Sequence, residues 1–537
     1  MFHLKDVTVR SARLYGDCVA FQLDEGKTYR KWTYKEVRER VDAVAAHLLS
    51  LGLKKGDRIA IQSENRPEWG MAYLGILAIG AIAVPLDILL QRNDLLPLLE
   101  DCQASAIFRS DRSREQSGEG LVKIEIKMED VLGLKPAGSP PEVEIDDDDL
   151  VAIIYTSGTT GRPKGIMISN KNFVSTILLA YQVYRVGPGD VFISILPMHH
   201  LFEGVIGFLG PYYCGSTITY IKTIKSHVIL DNMQRAGVTI LIGVPLLFKL
   251  FYEGIMRELD AKGRIVKALF SLWMFLARFI PSLEMRRKFL PIVYRKFGGK
   301  LRFCPVGGAP VDPKVLKDFD LFGIVVLQGY GLTEATPIIT CNREESNRIG
   351  TAGPPIPGIE MKIADDGEIL ARGPNIMRGY YKRPDLTAEV IKDGWLYTGD
   401  MGRLDKDGYL YVIGRIKDMI VSGAGVNIYP EELEFMIDKF PGVKEVAVIG
   451  APIKQGVRAG CEEVWAVIFP NLEYFDKIKM NNPDEIEAAI KKEIEKLNQQ
   501  VPDYKRIAKV IVRKTGLPKT TTRKIKKFQL KKEMGLV

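Results

Sequence analysis

The string YTSGTTGRPKG (155–165) sets four aliphatic hydroxyls, at Thr156, Ser157, Thr159 and Thr160, among three glycines and two cations, directly after the apolar run 151–154. Glycines let backbone N–H groups approach an anion closely, hydroxyls donate further hydrogen bonds, and Lys164 adds charge. The chemistry on offer is phosphate binding. It is not that of a Walker loop, which needs Gly-Lys followed by Ser or Thr at a helix start. Here Lys164 follows Pro163 and precedes Gly165. Taken by itself the string reads equally as a surface turn, because Gly, Pro, Ser and Thr are what turns use.

Other residues able to do chemistry are spread along the chain. They include Glu334 in QGYGLTE (328–334), Asp400 in YTGD (397–400), Arg415 and Lys417 in GRIK (414–417), His199 and His200 in LPMHHLFEG (196–204), and Lys524 after LPKT (517–520). Read singly, each is an ordinary core or surface residue. The six cysteines (Cys18, Cys102, Cys214, Cys304, Cys341, Cys461) show no C-x-x-C pair and no histidine at metal-ligand spacing, so a reducing compartment without structural zinc is expected.

The elements that must position these residues follow an α/β pattern. Thr33 and Glu36 form a capping box, and apolar residues at helical spacing carry a helix from 34 to about 51, stopped at Gly52. A strand at 58–62, a helix over about 67–80 and a strand at 81–85 come next. Strand alternating with helix argues for a largely parallel sheet. The acidic run 146–149 reads as a solvated turn entering the strand that leads into the opening string. With 537 residues the chain is too long for one core. Its character changes after the strand near 409–413, where 414–417 is short and charged, as a hinge is. Beyond lie strands at about 443–449, 464–469 and 507–512 and a helix at about 484–499. The expected organisation is a large domain over 1–413, a hinge at 414–417 and a small domain over 418–537.

With 46% hydrophobic and 26% charged residues the chain reads as a globular enzyme. The N-terminus lacks the apolar core of a secretory signal and no stretch reaches bilayer-spanning length, so the expected location is cytoplasmic. Net charge is +9, yet residues 505–537 alone hold twelve Lys/Arg against one acid. Such a tail reads as a solvated face, a nucleic-acid or membrane contact, or a seat for a polyanionic small molecule. The stretch 267–280 is the most hydrophobic helix candidate. Flanked by Arg264, Arg286, Arg287 and Lys288, it reads equally as core or as a helix lying on a bilayer through about 264–288.

Taken together and in order, the strings at 155–165, 328–334, 397–400, 414–417 and 517–524 resemble those of the adenylate-forming superfamily, which includes acyl-CoA synthetases, firefly luciferase and peptide-synthetase adenylation domains. Among these the chain most resembles long-chain fatty acyl-CoA synthetases. The resemblance covers nearly the whole chain. It implies an α/β fold with a large N-terminal domain of stacked sheets and a small mobile C-terminal α/β domain. It also implies ATP and Mg²⁺ as cofactors and coenzyme A as co-substrate. By the same resemblance ATP is held by Thr156, Ser157, Gly158, Thr159, Thr160, Lys164, Gly307, Gly308, Ala309, Gln328, Gly329, Tyr330, Gly331, Thr333, Asp400 and Arg415. Tyr330 stacks on adenine, and Asp400 with Arg415 meets the ribose. Glu334 and Thr160 meet Mg²⁺, Lys417 is the pivot, and Gly423, Gly425 and Asn427 line the path of coenzyme A. Lys524 bridges the incoming carboxylate and ATP, where a single ammonium helps most in the transition state. Arg523 stands where many relatives have Gly, and Val426 where they often have a cation.

In such chemistry the substrate carboxylate is the nucleophile, so a chain without an evident Ser-His-Asp set is no obstacle. His200 matches the residue that closes the acyl pocket in many relatives, and the small and apolar residues 205–210 suit an alkyl chain. The expectation is an ATP-dependent ligase joining a medium-to-long fatty acid to coenzyme A. The alternatives are an acyl carrier protein as acceptor, an aryl or short-chain acid as substrate, or a non-catalytic module that kept the fold. Peripheral contact with the inner face of the membrane accompanies the first reading. Nucleic acid is not an expected partner.

Overall fold

The computed structural model describes residues 2–113, 120, 122–135, 138, 142–156, 163–422, 426–453, 462–519 and 525–536. They fall into two units. One comprises 1–362, 371–397 and 405–410, the other 363–370, 398–404 and 411–537.

The larger unit carries two big sheets. An eight-stranded sheet runs in the order Thr340–Cys341, Val325–Tyr330, Phe303–Val306, Ile240–Leu241, Val191–Ser194, Thr217–Tyr220, Val19–Asp24, Tyr29–Thr33. Its interior pairs are parallel and both edges antiparallel. A seven-stranded sheet runs Gly379–Tyr380, Lys164–Ser169, Leu150–Thr156, Ile82–Leu86, Arg58–Gln62, Ala106–Arg109, Ile124–Lys127. Its last four pairs are parallel and its first two antiparallel. Buried Val, Ile and Phe dominate these strands, as parallel sheets covered on both faces require.

Local signals explain the elements. The capping box at Thr33 is present, with Glu36 Oε2 accepting from the Thr33 amide at 2.6 Å, and the helix runs Tyr34–Ser50. Gly52 then takes φ 82°, a conformation that favours glycine. In the acidic run, Asp149 closes the turn by accepting from the Asp146 amide and pairs with Lys55 at 2.7 Å. That is a solvated strand entry.

In the smaller unit, Val443–Pro452 pairs antiparallel with Glu462–Pro470, which pairs parallel with Lys509–Val512. The helices Pro430–Ile437 and Pro483–Asn498 supply Leu433, Ile437, Ile486, Ile490 and Ile494 to its core. Part of the basic tail is paired within the protein. Lys505 pairs with Glu432, Arg513 with Glu533, Lys519 with Glu445, Lys527 with Glu434 and Glu431, and Lys531 with Glu462.

Residues 267–280 do not form core. The helix Arg264–Ala277 buries only Ala277 fully, so the core alternative is set aside. Two of the cations assigned to its flank are engaged elsewhere. Arg286 binds Asp320 and the Ile280 carbonyl, and Arg287 donates to the carbonyls of Gly323, Leu301 and Arg302.

Candidate active site

The opening string straddles a strand exchange. Thr156 ends the strand Leu150–Thr156 and stands opposite Lys164, which begins the returning strand. Ser157, Gly158, Thr159 and Thr160 lie outside the described residues. Beyond the returning strand the two-residue strand Gly379–Tyr380 adds to the sheet edge, with Tyr380 opposite Ile166 and the Tyr381 amide donating to the Gly165 carbonyl at 2.7 Å.

This pairing puts Tyr380 between two residues singled out by sequence. The Lys164 ammonium lies 4.9 Å from the centroid of the Tyr380 ring, a cation–π distance. The Tyr380 hydroxyl donates to Glu334 Oε1 at 2.9 Å, and the Met377 amide to the Glu334 carbonyl at 2.9 Å. Burial, and then the Glu334 carboxylate, push the Tyr380 phenol well above its usual range, so it remains a donor. Lys164 and Glu334 thus share one phenol. Sequence reasoning missed Tyr380, whose only signal is its place beside Gly379 at a strand edge.

Glu334 sits in a short turn, Thr333–Ala335, after the strand Val325–Tyr330. Along that strand Gln328 pairs with Val306, and Gly329 and Tyr330 with Cys341 and Thr340. Gly331 is fixed by crowding, because a Cβ there would lie 2.0 Å from the Pro337 carbonyl oxygen. Gly307 is buried, and a Cβ on it would meet the Gly329 carbonyl at 3.6 Å and the Phe202 ring at 3.7 Å. Gly308, at φ 86°, and Ala309 are exposed. Strand ends therefore bring 306–309 beside 328–331, leaving backbone and small side chains at the surface, as a flat base requires.

His200 lies on the loop entering the π-helix Phe202–Leu209, its amide donating to the Pro197 carbonyl and its ring 4.2 Å from that of His199. Burial pulls the His199 imidazole down to about 4, so it is neutral and makes no charged pair with Asp87, 3.9 Å away. Under this loop is a buried polar set absent from the sequence reading. Asn65 donates to Ser194 Oγ at 2.9 Å and to the Leu196 carbonyl, and accepts from the Met198 amide. Ser194 donates to Glu203 Oε1 at 2.6 Å. Glu203 is fully buried, its Oε2 makes no hydrogen bond, and burial, opposed by Ser194 and the Leu196 amide, pushes its carboxyl up to about 8. A wide helical turn holds it, since a Cβ on Gly207 would sit 2.8 Å from that carboxyl. Beside these groups Trp69, Tyr73, Phe173, His199, Gly204 and Phe208 line an apolar cavity of about 10 Å³, the space of a single water.

In the smaller unit Asp400 and Arg415 meet, with Arg415 Nε 3.1 Å from Asp400 Oδ1. Asp400 is almost wholly buried on the strand Trp395–Leu404, and Arg415 ends the strand Leu410–Arg415 with its head half exposed. Glu368 shapes the turn before Asp400 by accepting from the Gly399 amide at 2.7 Å. Lys417 follows in the turn Ile416–Asp418. Asn427 pairs with Val421 and is exposed. Gly423, Gly425 and Lys524 lie outside the described residues. Flanking Lys524, Lys519 and Ile525 form an antiparallel bridge, and the Lys526 amide donates to the Pro518 carbonyl.

Among the described residues no group of three or more His, Cys, Asp and Glu could enclose a metal. A single half-buried carboxylate at Glu334, held by a phenol, nevertheless fits Mg²⁺, which takes one or two carboxylates and completes its shell from phosphate oxygens and water.

Residues 9–381 match the AMP-binding enzyme family and residues 417–534 the AMP-binding enzyme C-terminal domain. Long-chain-fatty-acid–CoA ligase FadD15 of Mycobacterium tuberculosis is 31% identical over 454 residues, covering 78% of this chain and 75% of that protein. Feruloyl-CoA synthase of an Amycolatopsis species is 30% identical over 439 residues, covering 78% and 80%. Among solved structures, ATP-bound MatB from Rhodopseudomonas palustris superposes with a TM-score of 0.77 at 26% identity, covering 99% of each chain. With Lys164 and Glu334 gathered on Tyr380 and these likenesses spanning most of the length, the chain belongs to the AMP-binding enzyme family, within the adenylate-forming superfamily.

Proposed function

We propose that the chain is an AMP-forming fatty acid:coenzyme A ligase for medium-to-long acids. A carboxylate oxygen attacks the α-phosphorus of ATP and expels pyrophosphate. The thiol of coenzyme A then displaces AMP from the acyl-adenylate to give the thioester. The observation that carries this reading is the meeting of Lys164, Tyr380 and Glu334, a cation for phosphate and a carboxylate for Mg²⁺ on one phenol. Mg²⁺, when bound, offsets the charge of the phosphates.

In this reading 156–160 and Thr333 hold phosphates with Lys164. Gly307, Gly308, Ala309 and Gln328 to Gly331 take adenine, and Asp400 and Arg415 the ribose. Lys524 binds the attacking carboxylate and the α-phosphate, His200 borders the acyl group, and Asn427 with Gly423 and Gly425 contacts coenzyme A. The small domain turns at 414–417 about Lys417. The fatty acid is supported by the relatives' names. A peripheral membrane contact through about 264–288 belongs to the same reading, supported by the exposed apolar side chains there.

The test is pyrophosphate exchange into ATP over carboxylic acids from acetate to oleate, with thioester assayed on coenzyme A and on acyl carrier protein side by side. Exchange greatest with long acids and thioester on coenzyme A is expected. Thioester on carrier protein alone would replace the acceptor, release of ADP would overturn the reaction, and no exchange with any acid would favour a non-catalytic module.

A further inference from the structure

The helix Arg264–Ala277 faces the protein with one narrow side. Phe270, Met274 and Ala277 lie against the core below, with Phe270 6.0 Å from the Phe322 ring. On the side turned away, Ile265, Leu269, Leu272 and Leu276, at i, i+4, i+7 and i+11, form one continuous stripe. Ile265 is 78% exposed, Leu272 51%, and Phe279 just past the helix 72%. Val266, Trp273 and Phe275 widen the stripe and are also exposed. A soluble surface rarely leaves this many large apolar side chains together without a partner.

Charge says what the partner is. Between Asp260 and Glu284 the chain has four cations, Lys262, Arg264, Lys267 and Arg278, and no acid. Arg264, Lys267 and Arg278 fall with Ser271 on a second stripe beside the apolar one. Lys267 meets Asp260 at 2.5 Å and Lys262 meets Glu258 at 3.4 Å, both pairs exposed and readily exchanged for another anion. The helix is about 21 Å long, and no helix among the described residues is long and apolar enough to cross a membrane. An apolar stripe bordered by cations on such a helix suits a bilayer surface, with side chains among the acyl chains and cations at lipid phosphates.

We infer that the helix Arg264–Ala277 and Phe279 form a docking surface for an anionic lipid bilayer, with Arg264, Lys267 and Arg278 as its headgroup contacts. Arg286 and Arg287, bound within the protein, take no part. The inference rests on the membrane contact in the functional reading and names its lipid and its residues. Its test uses neither ATP nor coenzyme A, so its failure and a failure of the ligase reaction are read separately.

The full chain is sedimented with vesicles of phosphatidylcholine alone and of phosphatidylcholine mixed with phosphatidylglycerol. Partition onto the anionic vesicles about tenfold or more above the neutral ones, falling with added salt, is expected. Leu272→Glu with Phe279→Glu should abolish it. Arg264→Glu with Arg278→Glu should bring it to the level of neutral vesicles. These positions are exposed, and unchanged thermal melting of the variants checks their folding. Protein left in the supernatant with both vesicles, or equal partition onto both, overturns the inference. So does a lipid-free dimer in sedimentation velocity that Leu272→Glu dissolves, which would assign the stripe to a second copy.

Discussion

Tyr380 holds the Glu334 carboxylate while its ring faces Lys164. Removing that hydroxyl leaves the carboxylate in place without its donor, and partners that orient a metal ligand are commonly worth about 10–100-fold in metal affinity. Tyr380→Phe should therefore raise the Mg²⁺ concentration giving half-maximal pyrophosphate exchange by about tenfold, measured by Mg²⁺ titration at saturating ATP. Glu203 gives a prediction in stability. Its carboxyl is pushed from 4.5 to about 8 in the folded protein. The folded state therefore retains a proton that the unfolded chain gives up. The stability tied to that proton is complete below about 4.5, declines as pH rises and is gone above about 8. The decline is about 1.4 kcal/mol per pH unit. Urea unfolding across this window should show that slope in the wild type and its loss in Glu203→Gln. A slope shared by both would remove Glu203 as its source. Lys164 and Glu334 were legible because their strings are contiguous. Tyr380 was not, because 46 residues separate it from Glu334 and only strand pairing unites them. Glu203 looked like one polar residue in an apolar run, and nothing local tells that Ser194, held by Asn65, lies against it.

At the level of elements, helices with caps and strands with unbroken apolar runs could be read closely. The strand Arg58–Gln62 falls where the sequence places it, and the helix Pro483–Asn498 begins at its proline with Asn482 as cap. The edge strand Gly379–Tyr380 and the π-helix Phe202–Leu209 escaped. Two residues make no pattern, and a wider helical turn leaves apolar periodicity nearly intact. The ion pairs within the tail escaped for a physical reason, since a local count of charge cannot see partners on other elements. Lys527 is the extreme case. Burial pulls its ammonium down, but Glu434, Glu431 and Asp418 more than offset this and leave its pKa raised. Lys527→Met would leave two carboxylates without their cation, at a cost of about 3–5 kcal/mol. Chemical denaturation of the C-terminal unit should report it, and an unchanged midpoint would show that the pair contributes nothing net.

For the whole molecule, the order of its parts was plain because the strings lie in sequence order along one chain. The grouping of 363–370 and 398–404 with the C-terminal unit was not, because it depends on contacts that sequence order conceals. If Lys524 serves the first half-reaction only, Lys524→Ala should lower acyl-adenylate formation by about 100-fold or more while sparing thioester formation from supplied acyl-adenylate. Separate assays of the two halves check this, and equal losses would remove the division of labour. The ion pairs of the C-terminal unit also bear on how the protein is made. Glu431, Glu434, Glu445 and Glu462 leave the ribosome well before Lys519, Lys527 and Lys531, and Leu530 fills a fully buried place. The packing of Ala447, Ile449 and Val467 with Leu530 is completed only once the helix Lys527–Glu533 has emerged. A stop codon just after Lys524 would yield a chain that keeps every proposed active-site residue, yet leaves Glu431, Glu434 and Glu462 without Lys527 and Lys531.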